Sequence, residues 1–211
     1  MRVHKLILLA PTAIVAVALS ACSAGSGGGG NASNPPPAPS AATSSAPASG
    51  GAITNDPCKV VTAEEASALA GVTFGPGTEE TTGSASEPGA RCTYGAGTLN
   101  VFFVQLGKAA DAATASAEWD QERAKVDDAV TQSAPAGLTI NKTATDISGL
   151  ADKATVVSGT ATLSGQNFAA TTIALLKGAS FLGFGDLTVN AAAPTPTAME
   201  AQAATSLNRL P

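Results

Sequence analysis

Histidine is nearly absent from this chain of 211 residues, and its single copy, His4, stands in a short basic leader. Once that leader is removed, no imidazole remains for a Ser-His-Asp or Cys-His relay or for a His-containing zinc site. Aromatic residues are scarce as well: one Trp, one Tyr and six Phe, few for a site that stacks sugars. Charged residues make up 13% of the chain with a net charge of −5, and no basic stripe is present. That excludes a nucleic-acid footprint and gives no attraction to anionic headgroups. A spaced run of Asp and Asn ending in Glu is missing, so no calcium loop is signalled. The adjacent acids Glu64-Glu65, Glu79-Glu80 and Asp127-Asp128 point apart as sequence neighbours and are read as solvated surface. A glycosidase pair needs carboxyls about 5 Å apart, which only folding could arrange. The expectation is a protein that is not an enzyme, with no catalytic residue, metal or cofactor.

What the chain does have begins at its start. Arg2, His4 and Lys5 precede an uncharged apolar run, Leu6 to Leu19, of 14 residues. A membrane-spanning helix needs about 20, so this is a secretory signal rather than a span. Leu19-Ser20-Ala21-Cys22 closes it as a lipobox. Residues 1–21 then form a lipoprotein signal peptide, and Cys22 becomes the first mature residue, its thiol diacylated with palmitate-type chains. The plainer alternative is an ordinary signal with Cys22 a bystander. Two or more acyl chains make anchoring stable where one holds only marginally. Losing Arg2 and Lys5 leaves nine basic residues against sixteen acidic, near −7.

Residues 22–52 are the lipidated cysteine and a tether of Gly, Ser, Ala, Pro and Thr, with Gly27–Gly30 and Pro35–Pro37 as landmarks. Such a segment buries too little apolar surface to offset its ordering entropy. Ser40, Thr43, Ser44 and Ser45 are compositional candidates for O-glycosylation. Giving Cys22 to the lipid leaves Cys58 and Cys92 as an even pair in an oxidising compartment. A bond between them would contribute roughly 4 kcal/mol by the chain-entropy model; two free buried thiols are the alternative.

Residues 53–211 read as one globular domain. Thr62 and Glu65 form a capping box for a short helix that stops at Gly71. Pro76 to Pro88 reads as an exposed loop. Arg91–Tyr94 and Leu99–Leu106 are strands joined through Gly95-Ala96-Gly97, the second apolar on both faces and so interior. The longest helix spans 108–130, with Trp119, Val126 and Val130 on its apolar stripe. Trp119 is a core anchor or, alternatively, a ligand-stacking platform. Arg123 can pair with Asp127 four residues on. Four strands follow at 138–147, 154–163, 167–177 and 180–190. A terminal helix opens at a capping box, Thr197-Ala198-Met199-Glu200, and carries Met199, Ala203, Leu207 and Leu210 on one face. The fold class is α+β: an antiparallel sheet with helices packed on it, in a single disulfide-bonded domain. Gly183-Phe184-Gly185-Asp186 lacks the lysine and the helix of a phosphate loop, and reads as a bulge or tight bend. Arg91, beside Cys92, is one arginine and not a site.

The lipobox, the tether, Asp56-Pro57-Cys58, the Thr-x-x-Glu-Ala helix start at Thr62 and the Cys-x-aromatic strand at Cys92-Thr93-Tyr94 resemble one family. It is the uncharacterised family of small actinobacterial cell-envelope lipoproteins. Gly149-Leu150-Ala151-Asp152-Lys153-Ala154 is loosely similar to its Gly-Leu-Gly-Asp-x-Ala segment, with Ala151 in place of Gly and Tyr94 where Trp is common. The resemblance implies a cell-surface lipoprotein with a disulfide, and no reaction. The expected role is a membrane-anchored binding module on the extracytoplasmic face. Its partner would be a small apolar or envelope-derived ligand in a deep apolar pocket, or an envelope protein, and not a nucleic acid. The alternatives are an accessory or sensory subunit of a membrane complex, marked by an exposed apolar patch, and a hydrolase using carboxylates alone.

Overall fold

The structure, a computed structural model, describes residues 55–83, 88–132, 139–163 and 165–211, with the side chains of 83, 88, 124–132, 139, 140 and 163 excepted. Residues 1–54, which hold the expected signal peptide, Cys22 and the expected tether, lie outside the described residues, as do the side chains of Val126, Asp127, Asp128 and Val130.

Seven strands form one sheet: β1 Thr78–Gly83, β2 Pro88–Tyr94, β3 Val101–Lys108, β4 Thr139–Asp146, β5 Lys153–Leu163, β6 Gln166–Lys177 and β7 Ser180–Val189. Their spatial order is β1-β2-β3-β7-β6-β5-β4, antiparallel throughout. Two meanders, β1-β2-β3 and β4-β5-β6-β7, are thus joined where β3 meets β7. The helices are α1 Pro57–Val60, α2 Ala63–Ala70, α3 Ala112–Gln132 and α4 Pro196–Leu207. The hairpin between β6 and β7 turns in two residues, Gly178 and Ala179, and Gly178 has φ +59°. That left-handed conformation is one glycine adopts without a Cβ clash, and it matches the strand twist.

Strand alternation assigns each side chain to a face. The first face carries Cys92, Tyr94, Phe102, Val104, Ile173, Leu175, Leu182 and Phe184, all buried, and is covered by α1, α2 and α4. Val60, Val61, Ala66, Met199, Ala203 and Leu207 supply the helical side of that layer. The opposite face packs Leu176 and Phe181 against Ala115 and Trp119 of α3. Trp119 is therefore a core anchor. Two ion pairs flank it, Arg123 with Asp146 at 3.0 Å and Lys153 with Asp120 at 2.6 Å. Arg123 thus reaches across to the sheet; the side chain of Asp127, its expected partner along the helix, lies outside the described residues.

Cys58 and Cys92 are bonded, tying α1 to β2. The Tyr94 hydroxyl donates to the Val61 carbonyl at 2.7 Å, with the Cys58 carbonyl 3.0 Å away. Burial, reinforced by Asp56 and Glu65, pushes the phenol up to about 12, so it stays a donor. A Cβ on Gly77 would come within 2.6 Å of the Tyr94 ring and would also press on Cys92, which is why the chain crosses the disulfide at a glycine. At the other end of the sequence, Arg209 holds Glu65 through two bonds of 2.7 Å and donates to the Val60 carbonyl at 2.8 Å.

Several local expectations are corrected. The stretch Pro76–Pro88 is not only loop: Thr78–Gly83 pairs with β2 as an edge strand. Its Thr and Glu side chains lack an apolar face, so periodicity gave no signal. Helix α3 starts at Ala112 rather than 108, because β3 continues to Lys108 and Asp111 then accepts the Thr114 N–H at 2.8 Å. Helix α4 is capped by Thr195, whose hydroxyl accepts from Ala198 N at 3.3 Å, with Pro196 in the first turn; Thr197 lies inside the helix. Proline at the first helical position forfeits no bond. Gly183 and Gly185 sit in unbroken pairing with β3 and β6, so no bulge is present there. A Cβ on Gly185 would stand 2.5 Å from the Thr172 hydroxyl and 3.0 Å from the Thr171 carbonyl. Close approach, not a bend, selects that glycine.

Candidate functional site

The first face of the sheet changes character along its strands. Near its helices it is apolar. Toward the other end the cross-strand rows become polar, and they can be read directly from the register. One row runs Thr143 (β4), Ser158 (β5), Thr171 (β6), Asp186 (β7). The next runs Asn141, Thr160, Ala169, Thr188. Thr162 and Asn167 pair beyond them, and the Thr162 hydroxyl lies 3.0 Å from Asn167 Oδ1. On the β4 side the groups are exposed; Thr171, Asp186 and Thr188 are buried, at 2%, 1% and 0% exposure.

Asp186 is the unusual member. Neither of its carboxyl oxygens has a hydrogen-bond partner. The Thr171 hydroxyl is turned to Ser158 at 3.5 Å, and that of Thr188 donates toward the Ala191 and Ala169 carbonyls at 3.1 and 3.3 Å. With no partner for its charged form, burial alone pushes the Asp186 carboxyl up to about 7. Its cross-strand neighbours are Phe102 and Thr171, so the sheet register pairs it with no second carboxylate. The sequence placed Asp186 only within a Gly-x-Gly motif; its burial depends on pairing between distant strands.

An open groove of about 560 Å³ lies across the end of these rows, lined by Thr160, Thr162, Asn167, Phe168, Asn190 and the Ala191-Ala192 turn, with Ala161 and Ala169. Asn190 adopts φ +56°, and its side chain accepts the Asn167 N–H at 3.1 Å while its own N–H bonds the Asn167 carbonyl at 2.7 Å. The Asn167–Asn190 bonds fix the groove wall, which is open and mixes alanines and Phe168 with Thr and Asn side chains; the expectation was a deep apolar pocket between sheet and helices. Between sheet and helices the first-face layer is filled by the buried side chains of the core.

Among the remaining expected residues, Cys58 and Cys92 form the structural disulfide. Arg91 stacks over the Phe103 ring, 5.1 Å from its centroid, on the opposite face. Glu65, read as solvated surface, is half-buried and ion-paired with Arg209. Burial raises its pKa, but the guanidinium and the Thr62 N–H outweigh that and hold the carboxyl below the usual range. Leu99, at the β2–β3 turn, is the exposed large apolar side chain among the described residues. Among these residues no three metal-ligating groups stand together, and no helix is long and apolar enough to cross a membrane. No protein-family model matches the chain, and no curated protein matches it.

Proposed function

We propose that this chain is a lipoprotein anchored through Cys22 to the extracytoplasmic face of the cell membrane, and that its folded domain is a non-catalytic binding module. The anchor rests on the Leu19-Ser20-Ala21-Cys22 motif and the tether behind it. The observation that supports binding is the groove lined by Thr160, Thr162, Asn167 and Asn190. It gathers neutral hydrogen-bonding side chains around a concave surface braced by strand pairing. Such convergent polar groups orient a ligand rather than transform it. The tether lets the groove reach outward from the bilayer, at a root-mean-square span on the order of 30 Å for a flexible chain of that length.

Replacing Cys22 by Ala removes the acylation site and leaves the folded domain untouched. The variant is expected in the medium, with the wild-type protein in the membrane fraction and labelled by a palmitate analogue. A Cys22→Ala chain that stays membrane-bound after signal cleavage overturns the anchor.

A further inference from the structure

We propose that β4 pairs with β4 of a second copy of this chain, in one self-complementary register, and so joins two sheets into a continuous dimeric sheet. The proposal goes beyond the binding-module reading and does not depend on it. Its starting point is an open edge. β4 is an end strand of the sheet, and among the described residues only β5 pairs with it. The Ile147 N–H donates to the carbonyl of the opposite residue, Ala154, at 2.9 Å. Hydrogen-bonded and non-hydrogen-bonded pairs alternate along an antiparallel ladder, so Thr145, Thr143 and Asn141 also turn their backbone groups toward β5. Lys142, Ala144 and Asp146 turn theirs to the open side, the kind of edge that accepts another strand. The register is unbroken from Thr139 to Asp146, so no bulge twists this edge away.

Charge selects both the occupant and the register. Two copies of one strand pair about a twofold axis, so a contact from one to the other is always made twice. Lys142 and Asp146 share a face with Ala144 and flank it symmetrically. An axis at Ala144 therefore sets Lys142 of each copy opposite Asp146 of the other. An axis at Lys142 or at Asp146 would oppose like charges, which destabilises a strand pair. An axis at Thr143 or Thr145 matches neither charge across the seam. Asp146 is open to a further cation: it is 71% exposed, and Arg123 and Thr155 both bind Oδ1, at 3.0 and 2.6 Å, leaving Oδ2. On the other face, exposed Thr143 meets exposed Thr145 of the second copy. The opposite end strand, β1, offers no such match. It carries exposed Glu79 and Glu80 and no base, so it meets a second acidic copy with like charge only. A twofold axis within a sheet stands perpendicular to it, so both copies present the face covered by α1 on one side. Both chains then enter from that side, as two anchors in one membrane require.

The test uses the full mature chain carrying Cys22→Ala, which lacks the anchor and keeps every element of the domain. Sedimentation equilibrium over a concentration series is expected to show a monomer–dimer equilibrium. Ala144→Pro removes an outward N–H and no bond to β5, as proline on an edge strand can, and is expected to abolish the dimer. Lys142→Glu sets carboxylates opposite each other at both contacts, and Asp146→Lys sets lysines so. Each is expected to weaken association by about tenfold. Mixing these two variants is expected to restore the dimer, since every contact then joins opposite charges. A folding defect would not be repaired by mixing, so this result stands even if Ala144→Pro fails to fold. Ala144→Cys is expected to crosslink to itself on oxidation, its Cα atoms lying about 5.5 Å apart across the axis, and Thr145→Cys to crosslink far less. A chain that is monomeric at every concentration overturns the proposal. So does a dimer that persists in folded Ala144→Pro, a mixture that fails to restore association, or preferential crosslinking through Thr145→Cys.

Discussion

A single carboxyl sets much of this domain's response to pH. Asp186 is 1% exposed and its pKa is pushed up to about 7, against an ordinary value of 3.8. A raised native pKa means that its contribution to stability is fully present below pH 3.8 and is lost as pH rises through about 7. Between pH 5 and pH 8 the loss is on the order of 2 to 3 kcal/mol. Glu65 acts in the opposite sense. Its pKa is held below 4.5, so its contribution is present above that value and fades as pH falls through the native one. Urea unfolding at pH 5 and pH 8 checks the first effect: the wild-type midpoint is expected to drop with pH, and Asp186→Asn to flatten the dependence. An equal drop in the variant would show that Asp186 is not the group responsible. None of this was legible in the motif around Gly183. A residue's burial follows from what lies opposite it, and Phe102 and Thr171 are separated from Asp186 by 84 and 15 positions.

At the scale of elements, helix α3 shows which contacts hold a helix to a sheet. Its ion pairs, Arg123 with Asp146 and Lys153 with Asp120, each leave one carboxylate largely in solvent, at 71% and 67% exposure. Such pairs contribute at most about 1 kcal/mol and weaken with salt. Trp119 is 9% exposed between Leu176 and Phe181, and truncating a buried Trp costs roughly 3 to 5 kcal/mol. Denaturant unfolding is therefore expected to show Trp119→Ala destabilised by about 3 kcal/mol and Asp120→Asn changed by under about 0.5 kcal/mol. The reverse order would make the helix electrostatically docked. Elements with a local code were readable in the chain. The Thr62–Glu65 box, Gly71 as a stop and the glycines of the β2–β3 turn all act on their immediate neighbours. Edge strand β1 had no such code, since Thr78–Gly83 is defined by pairing with β2. The α4 cap fell two residues early because Thr195 precedes a proline suited to the first turn, while the Thr197–Glu200 spacing imitates a capping box inside the helix.

For the molecule as a whole, composition and strand alternation were enough to expect an antiparallel sheet covered by helices. They left open which strands are neighbours. The polar rows exist only because β4–β7 stand side by side in a fixed register, so the candidate site was visible in the sequence only as scattered threonines and asparagines. The two ends of the domain are tied by Arg209, which grips Glu65 and Val60 from 144 and 149 residues away. Both charges are largely buried, at 8% and 21% side-chain exposure, and breaking a buried pair from one side costs about 3 kcal/mol. Arg209→Ala is expected to lower the unfolding midpoint accordingly. Arg209→Lys should recover little of it, because a point charge cannot reproduce the two-pronged bond. Full recovery by lysine would reduce the contact to simple charge.

The junction of β3 with β7 also governs when this protein can be finished. Synthesised from its N-terminus, the chain presents β1, β2, β3 and both bonded cysteines early, so that meander can pair while the rest is still arriving. The inner edge of β3, with Phe102, Phe103 and Val104, has no neighbour until residues 180–189 emerge. Until then the chain carries an apolar strand with bare backbone donors and acceptors, the kind of surface that pairs with other chains. Completion thus depends on the last strand to appear, and a product ending before β7 would be prone to aggregation rather than merely shorter.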